Sequence, residues 1–205
     1  MCRFAALLVC AVSLVGNAYS QTEYSPPPVG TMVTWSFGNE TDRETRLSEV
    51  VATGSDFAIF LSDLRLSSES AASYIVEFSG IHVTSCVEEM PSELEREHLS
   101  KAWPLKSGDL LEIGDDQSAI YTIGKLTSHT LNPREGPTQA RLIRAEFGSV
   151  ENDITLSLDW NTAVAVTWPD NSGDKALEIV PPLSETPVRN DIANHIGACA
   201  SLLKN

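Results

Sequence analysis

The segment SHTLNPREGP at 128–137 groups side chains that could do chemistry. It places His129, Arg134 and Glu135 in one long polar stretch with two prolines, which predicts a loop. Long loops carry binding and catalytic residues more often than short ones. We therefore take these three residues as candidate ligand-binding residues. If the protein is an enzyme, they are the site of a hydrolase.

Other motifs do not predict a catalytic or metal site. Asp170, Ser172 and Asp174 place oxygen atoms at alternate positions, as calcium loops do. An EF-hand loop needs glycine at its sixth position and glutamate at its twelfth, but here the glycine is fourth and the twelfth residue is proline. A hairpin turn is predicted instead. The sequence has no H-E-x-x-H, no G-x-S-x-G and no glycine-rich phosphate loop, which favours a non-enzymatic protein without metal or cofactor.

Two cysteines, Cys86 and Cys199, lie outside the N-terminal apolar segment. A single pair of cysteines in an exported chain indicates a disulfide. A zinc site is one alternative, because His195 lies four residues before Cys199, but no third ligand stands at a recognisable spacing. A reactive thiol is the other alternative. A bridge would close a loop of over a hundred residues, for which chain entropy gives a stabilisation of about 4–5 kcal/mol.

The N-terminal region predicts an exported protein. Residues 1–20 have the layout of a secretory signal peptide, with a short basic start, an apolar run at 4–15 and small residues at Ala18 and Ser20. The run is shorter than the roughly 20 residues of a membrane-spanning helix, so we expect no transmembrane segment after cleavage. The proline-rich stretch 21–30 predicts a flexible leader. The expected location is the periplasm or the outside of the cell.

The chain is strongly acidic. It has 14 basic and 28 acidic residues, a formal net charge of −14, and losing Arg3 with the signal peptide would make the charge −15. Phosphate backbones are bound through lysine and arginine, so nucleic acid and anionic membrane surfaces are poor partners. The expected partner is an unidentified envelope or extracellular protein, or a small ligand.

The remaining residues, 31–205, predict a single β-rich domain. Runs rich in β-branched and aromatic residues recur between turn residues, and the alternation of polarity is clearest at 152–160. The last four runs predict an antiparallel meander. Similar glycine-led patterns begin at Gly30 and Gly108. Two similar halves joined by a helix, 31–86 and 104–180, are therefore a hypothesis.

Two short α-helices are predicted, at about 92–103 and 187–203. The first begins with the S-x-x-E spacing of a capping box at 92–95, and Pro104 ends it because proline disfavours helical geometry in the residue before it. The second carries an apolar stripe that includes Cys199. A disulfide would therefore attach this second helix to the sheet.

The segment WPLKSG at 103–108 leads into a strand, an acidic turn at 115–116 and a second strand. This pattern resembles a hairpin module of uncharacterised exported bacterial proteins, and the resemblance covers about residues 104–168. It implies export and an antiparallel sheet, and it transfers no functional residues. The chain is also similar to lipocalins in length, meander and disulfide. Gly30 and Trp35, however, are too far apart to form the G-x-W motif of that family.

The sequence as a whole predicts a mainly β fold, either an antiparallel sheet or sandwich or a partly open barrel, with two helices and one disulfide. Three functions are compatible with it. The first is an exported, non-enzymatic envelope protein with a binding or structural role. The second is a β-cup that binds a small apolar ligand. The third is a hydrolase with its site near 129–137.

Overall fold

The computed structural model describes residues 23–39, 41–62, 71–114, 119–131, 136–184 and 192–204. The predicted signal peptide lies outside these residues. The strands are β1 (Met32–Gly38), β2 (Arg43–Thr53), β3 (Phe57–Leu61), β4 (Tyr74–Phe78), β5 (His82–Ser85), β6 (Leu110–Ile113), β7 (Ala119–Thr130), β8 (Pro137–Phe147), β9 (Val150–Ser157), β10 (Thr162–Thr167) and β11 (Gly173–Val180). The helical segments are the α-helix α1 (Glu93–Lys101) and the 3₁₀ segments Ala71–Ser73, Ile192–Asn194 and Gly197–Lys204.

The strands form one antiparallel sheet, as the pattern of short alternating runs predicts. Their order is β5-β4-β3-β2-β1-β11-β10-β9-β8-β7-β6. The sheet therefore consists of two meanders, an N-terminal meander of β1–β5 and a C-terminal meander of β6–β11, which meet where β1 pairs with β11. The sheet curls into a half-barrel, which corresponds to the partly open barrel among the predicted architectures.

The N-terminal meander is buried on both of its faces at β3. All five residues of this strand are buried. Phe57 and Ile59, on one face, belong to the main apolar core, together with residues of α1 and of the C-terminal segment. Ala58 and Phe60, on the other face, belong to a second core with residues of β1, β10 and β11. Sheet curvature on one side and helical segments on the other therefore cover this strand completely.

The predicted first helix is confirmed. The Ser92 hydroxyl accepts a hydrogen bond from the Glu95 amide at 3.3 Å, and the Glu95 carboxylate accepts one from the Ser92 amide at 2.7 Å, which completes the capping box. The helix ends at Lys101, shortly before Pro104. The buried Trp103 that follows donates its indole hydrogen to the Ser79 carbonyl at 3.0 Å, which ties the end of the helix to the turn after β4.

The second predicted helix is present from Ile192 onward as two 3₁₀ segments. Its first residues, 187–191, lie outside the described part of the chain. The buried side chains Ile196, Cys199 and Leu202 recur every three residues, which is the period of a 3₁₀ helix. An apolar stripe with this spacing stays on one face of the tighter helix.

The predicted disulfide joins Cys86 to Cys199, with 5.2 Å between the Cα atoms and a sequence separation of 113. The Ala198 amide also donates to the Cys86 carbonyl at 2.9 Å. The C-terminal segment is therefore attached to the N-terminal meander just after β5.

Residues 23–30 differ from the expected flexible leader because they pack on the domain. Tyr24 is buried, and its ring lies 5.9 Å from the ring of Trp103. The Asn161 side-chain amide donates to the Ser25 carbonyl at 2.7 Å. A buried aromatic ring and a backbone hydrogen bond together hold this extended segment against the sheet.

Candidate functional site

The loop predicted at 128–137 is shorter than expected. The pairing of β7 with β8 continues through His129 and Thr130, which face Thr138 and Pro137. His129 is therefore a strand residue, whereas Arg134 and Glu135 lie outside the described residues. The His129 ring is half-buried, and its Nε2 atom has no hydrogen-bond partner within the described ranges. Burial, with the charge of Lys175 next, lowers the pKa of His129.

The curl of the sheet encloses an apolar cavity of about 360 Å³. Its walls come from both meanders, and its lining is formed by Trp35, Phe37, Ser48, Phe60, Ser62, Ile75, Glu77, Ile81, Val83, Phe147, Asn152, Ile154, Ala163, Val166, Trp168 and Asp174. Most of these side chains are aliphatic or aromatic. Val83 and Trp168, each 39% exposed, mark where the cavity meets solvent.

A single hydrogen bond shows how far the sheet curls around this cavity. Four strands separate β4 from β10 in the sheet order. Nevertheless, the hydroxyl of Thr162 on β10 donates to a carboxylate oxygen of Glu77 on β4 at 3.0 Å. The two strands must therefore face each other across the interior. The neighbouring β4–β5 and β9–β10 turns also touch, because a Cβ atom on Gly80 would lie 2.8 Å from the Asn161 carbonyl oxygen.

Glu77 is the ionisable group buried most completely in this cavity, with only 4% of the residue exposed. Its Oε2 atom accepts hydrogen bonds from the Thr162 hydroxyl and, at 3.4 Å, from the Ala163 amide. Its Oε1 atom has no hydrogen-bond partner among the residues described. Burial raises the pKa of Glu77 to about 8, against the opposing effect of these two hydrogen bonds. The carboxyl group is therefore mostly protonated at neutral pH.

Asn152, on β9, contributes a second polar group to the cavity. The residue is 6% exposed, and its Oδ1 atom has no partner in the described part of the chain. Buried polar atoms in folded proteins are normally hydrogen-bonded. Two such atoms in one apolar cavity distinguish it from an ordinary gap in the core.

A larger depression, of about 710 Å³, lies between α1, the β2–β3 turn and the C-terminal segment. In the part of the chain that the structure describes, its lining carries one cation, Arg96, which pairs with Asp56 at 3.1 Å, and two further carboxylates, Glu93 and Glu97. The depression is therefore acidic and polar, and it offers less to an apolar ligand than the apolar cavity does.

Sequence reasoning missed Glu77 and Asn152. A signal for Glu77 is present in the run YIVEF at 74–78, where one glutamate interrupts an otherwise apolar strand. A continuous apolar run is typical of a strand with both faces buried, so a charged residue within it is a candidate buried carboxyl. Asn152 has no comparable signal, because it lies at the start of an alternating strand.

No helix in the described ranges has the length and apolar character needed to cross a membrane. Among the same residues, no three histidine, cysteine, aspartate or glutamate side chains are grouped so that they could hold a metal ion.

Comparisons with known proteins show similarity at the level of solved structures. No family model and no curated protein matches the sequence. One similar structure is a hypothetical lipoprotein, YmcC, from Escherichia coli, with 10% identity and a TM-score of 0.43, covering 77% of this chain and 90% of that one. Another is MucB in complex with MucA from Pseudomonas aeruginosa, with 9% identity and a TM-score of 0.33, covering 75% of this chain and 53% of that one. At these scores the similarity carries no functional argument.

Proposed function

We propose that this protein is an exported, non-enzymatic binding protein that holds a small apolar ligand between the two meanders of its sheet. The observation that carries the proposal is the cavity itself. Its volume of about 360 Å³ lies within the range of roughly 300–1,000 Å³ that is usual for small-molecule sites. Its walls are mainly aliphatic and aromatic with a few polar groups, which is also usual for such sites.

Export is part of the proposal and depends on the sequence. The signal-peptide layout of residues 1–20 and a single pair of cysteines outside it both favour an oxidising compartment. The disulfide between Cys86 and Cys199 agrees with that compartment. The hydrolase alternative has less support, because His129 lies in the paired end of β7 and does not line the cavity.

The test is binding of a neutral apolar fluorophore, N-phenylnaphthylamine, whose emission rises in an apolar environment. We expect saturable binding by the purified protein. Val166→Trp would fill part of the cavity. We expect it to weaken that binding at least about tenfold, a loss of about 1.4 kcal/mol of binding free energy, which is the size of effect that overpacking produces. Thr167→Trp, at the next and exposed position of β10, is the matched control and should bind as the wild type does.

Two results would contradict the proposal. One is an absence of saturable binding by the wild type. The other is equal binding by Val166→Trp and the wild type, which would place the fluorophore outside the cavity. Mass spectrometry of small molecules extracted from the natively produced protein provides an independent check, with recovery of an apolar compound near one equivalent as the expected result.

A further inference from the structure

The cavity has a closed end and an open end along β10. At the closed end, Thr162 and Ala163 hold the Glu77 carboxyl group, and all three residues are at most 5% exposed. These three residues are the floor of the cavity. At the other end Trp168, one residue beyond β10, is 39% exposed, and Val83 on the edge strand β5 adds an opening at the side.

The leader, residues 23–30, lies against the floor. The Ser25 carbonyl accepts a hydrogen bond from the Asn161 side chain at 2.7 Å, and the next residue, Thr162, donates to Glu77 at 3.0 Å. Tyr24 is buried. Burial, with the charge of Glu77 next, raises the pKa of Tyr24, so its hydroxyl lies within electrostatic reach of the same carboxyl group. One hydrogen bond and one buried ring therefore connect the leader to the floor.

We propose that the leader holds the floor in place and thereby sets the length of hydrocarbon chain that the cavity accepts, at about 12–13 carbons. This inference rests on the proposed function, because it specifies the shape of the ligand that the same cavity binds. That ligand is an unbranched chain whose methyl end reaches the floor and whose head lies near Trp168.

Two estimates of the chain length agree. Trp168 lies five residues after Ala163, and both line the cavity, which gives a distance of about 16 Å at the strand rise of roughly 3.3 Å per residue. A hydrocarbon with bonds of about 1.5 Å advances about 1.3 Å per carbon, so about 12–13 carbons span this distance. The volume of about 360 Å³ holds about 12 methylene groups if each takes about the 30 Å³ of a liquid water molecule. The cavity therefore has the cross-section of a single chain.

The position of the β9–β10 turn depends on the leader. Asn161 in this turn is buried and has a φ of 51°, and its side-chain amide donates to Ser25. The turn also packs directly on the β4–β5 turn, where a Cβ atom on Gly80 would lie 2.8 Å from the Asn161 carbonyl oxygen. Without the leader, the buried Asn161 amide would lose its acceptor, which is unfavourable. Outward movement of the turn would restore its hydration and lower the floor.

The experiment measures displacement of N-phenylnaphthylamine by octyl, decyl, dodecyl and tetradecyl maltoside, each below its micelle concentration. Their bulky uncharged head stays outside the cavity. For the wild type we expect the affinity to rise about fourfold with each added methylene group from octyl to dodecyl, because each group leaves water. From dodecyl to tetradecyl the affinity should change less than about twofold, because the added groups remain outside.

Variants of the leader should remove this limit. A mature chain that lacks residues 21–28, and the variant Tyr24→Ala, should each bind tetradecyl maltoside at least about tenfold more tightly than dodecyl maltoside. If the shortened chain does not fold, Asn161→Gly tests the same connection, because glycine tolerates the positive φ and removes the donor to Ser25. Ser25→Ala is the matched control. Its side chain is exposed and its carbonyl is retained, so it should keep the wild-type limit.

The outcomes separate this inference from the proposed function. If the fluorophore shows no saturable binding, the proposed function fails. If it binds but no maltoside displaces it, or if the wild-type affinity rises undiminished to tetradecyl, the proposed function stands and the inference fails. The inference also fails if the leader variants keep the limit at dodecyl, or if Ser25→Ala loses that limit as they do.

Discussion

The two meanders of the sheet differ in how their faces are covered. In the N-terminal meander, every residue of β3 and all but Ile75 of β4 are buried. In the C-terminal meander, β8 has three buried residues among eleven, and exposed positions such as Arg144 separate them. Helical segments cover one face of the first meander, and strands on the opposite side of the curled sheet cover its other face. The outer face of the second meander meets solvent.

This difference decides what happens to a polar side chain on each meander. Glu112 on β6 lies between two buried apolar residues, at a position that points outward and is exposed. Glu77 on β4 lies between two buried residues as well, but the face it points to is covered by β10. Similar local sequences therefore give a solvated carboxylate in one meander and a buried carboxyl group in the other.

The most direct way to break this comparison is to truncate two adjacent residues in each meander. Ile59 and Phe60 on β3 are both buried, on opposite faces. We expect Ile59→Ala and Phe60→Ala each to lower the free energy of unfolding by about 3 kcal/mol. The matched adjacent pair in the second meander is Ile143 and Arg144 on β8. We expect Ile143→Ala to lower the free energy of unfolding by a similar amount. Chemical denaturation monitored by circular dichroism measures all four variants.

Arg144→Ala is the contrasting member of this set. Its guanidinium pairs with Asp153 at 3.4 Å in an exposed position, and exposed ion pairs contribute about 0–1 kcal/mol. If Phe60→Ala destabilised as little as Arg144→Ala does, one face of β3 would be open and the cavity would not be enclosed.

The second prediction concerns the pH dependence of stability. The folded-state pKa of Glu77, about 8, lies above its ordinary value of 4.5, so the folded chain holds this proton more tightly than the unfolded chain does. Its stabilising contribution is complete below pH 4.5 and is lost as the pH rises through about 8. Between these values the contribution falls by about 1.4 kcal/mol per pH unit.

Glu77→Gln removes this titration and keeps the shape of the side chain. We expect the unfolding free energy of the variant to decline less steeply than that of the wild type as the pH rises from 5 to 8. The pKa of Tyr24 is raised by burial and then by the charge of Glu77. Tyr24 therefore stays protonated from pH 5 to 8 and contributes to neither slope. Glu112→Gln on β6 is the matched control and should retain the wild-type slope. Parallel slopes for Glu77→Gln and the wild type would mean that Glu77 is solvated.

Local patterns in the sequence were sufficient to predict most of the fold. The runs of β-branched residues, the capping box of Ser92 and Glu95 and the proline after the first helix all predicted elements that the structure contains. The bridge between Cys86 and Cys199 followed from the number of cysteines in an exported chain. Each of these inferences depends only on residues close in sequence or, for the disulfide, on there being a single pair of cysteines.

The cavity was not predictable in the same way, because it depends on the curl of the whole sheet. The contact between Glu77 and Thr162 joins residues 85 positions apart, and no periodicity in either strand specifies it. The candidate site at 128–137 was inferred from loop length, and the pairing of β7 with β8 shortens that loop. Residue types alone therefore pointed to the polar segment at 128–137. The apolar cavity is recognised only when it is known which side chains the fold buries.

The smallest expected effect tests that earlier candidate directly. His129 lies near the end of β7 and is not part of the cavity lining, so His129→Gln should leave the dissociation constant of N-phenylnaphthylamine within about twofold of the wild type, less than about 0.5 kcal/mol. Val166→Trp, measured in the same assay, shows the size of a change that comes from inside the cavity. A tenfold loss of binding in His129→Gln would mean that the end of β7 contributes to the site. The cavity between the two meanders would then not be the whole of the binding site.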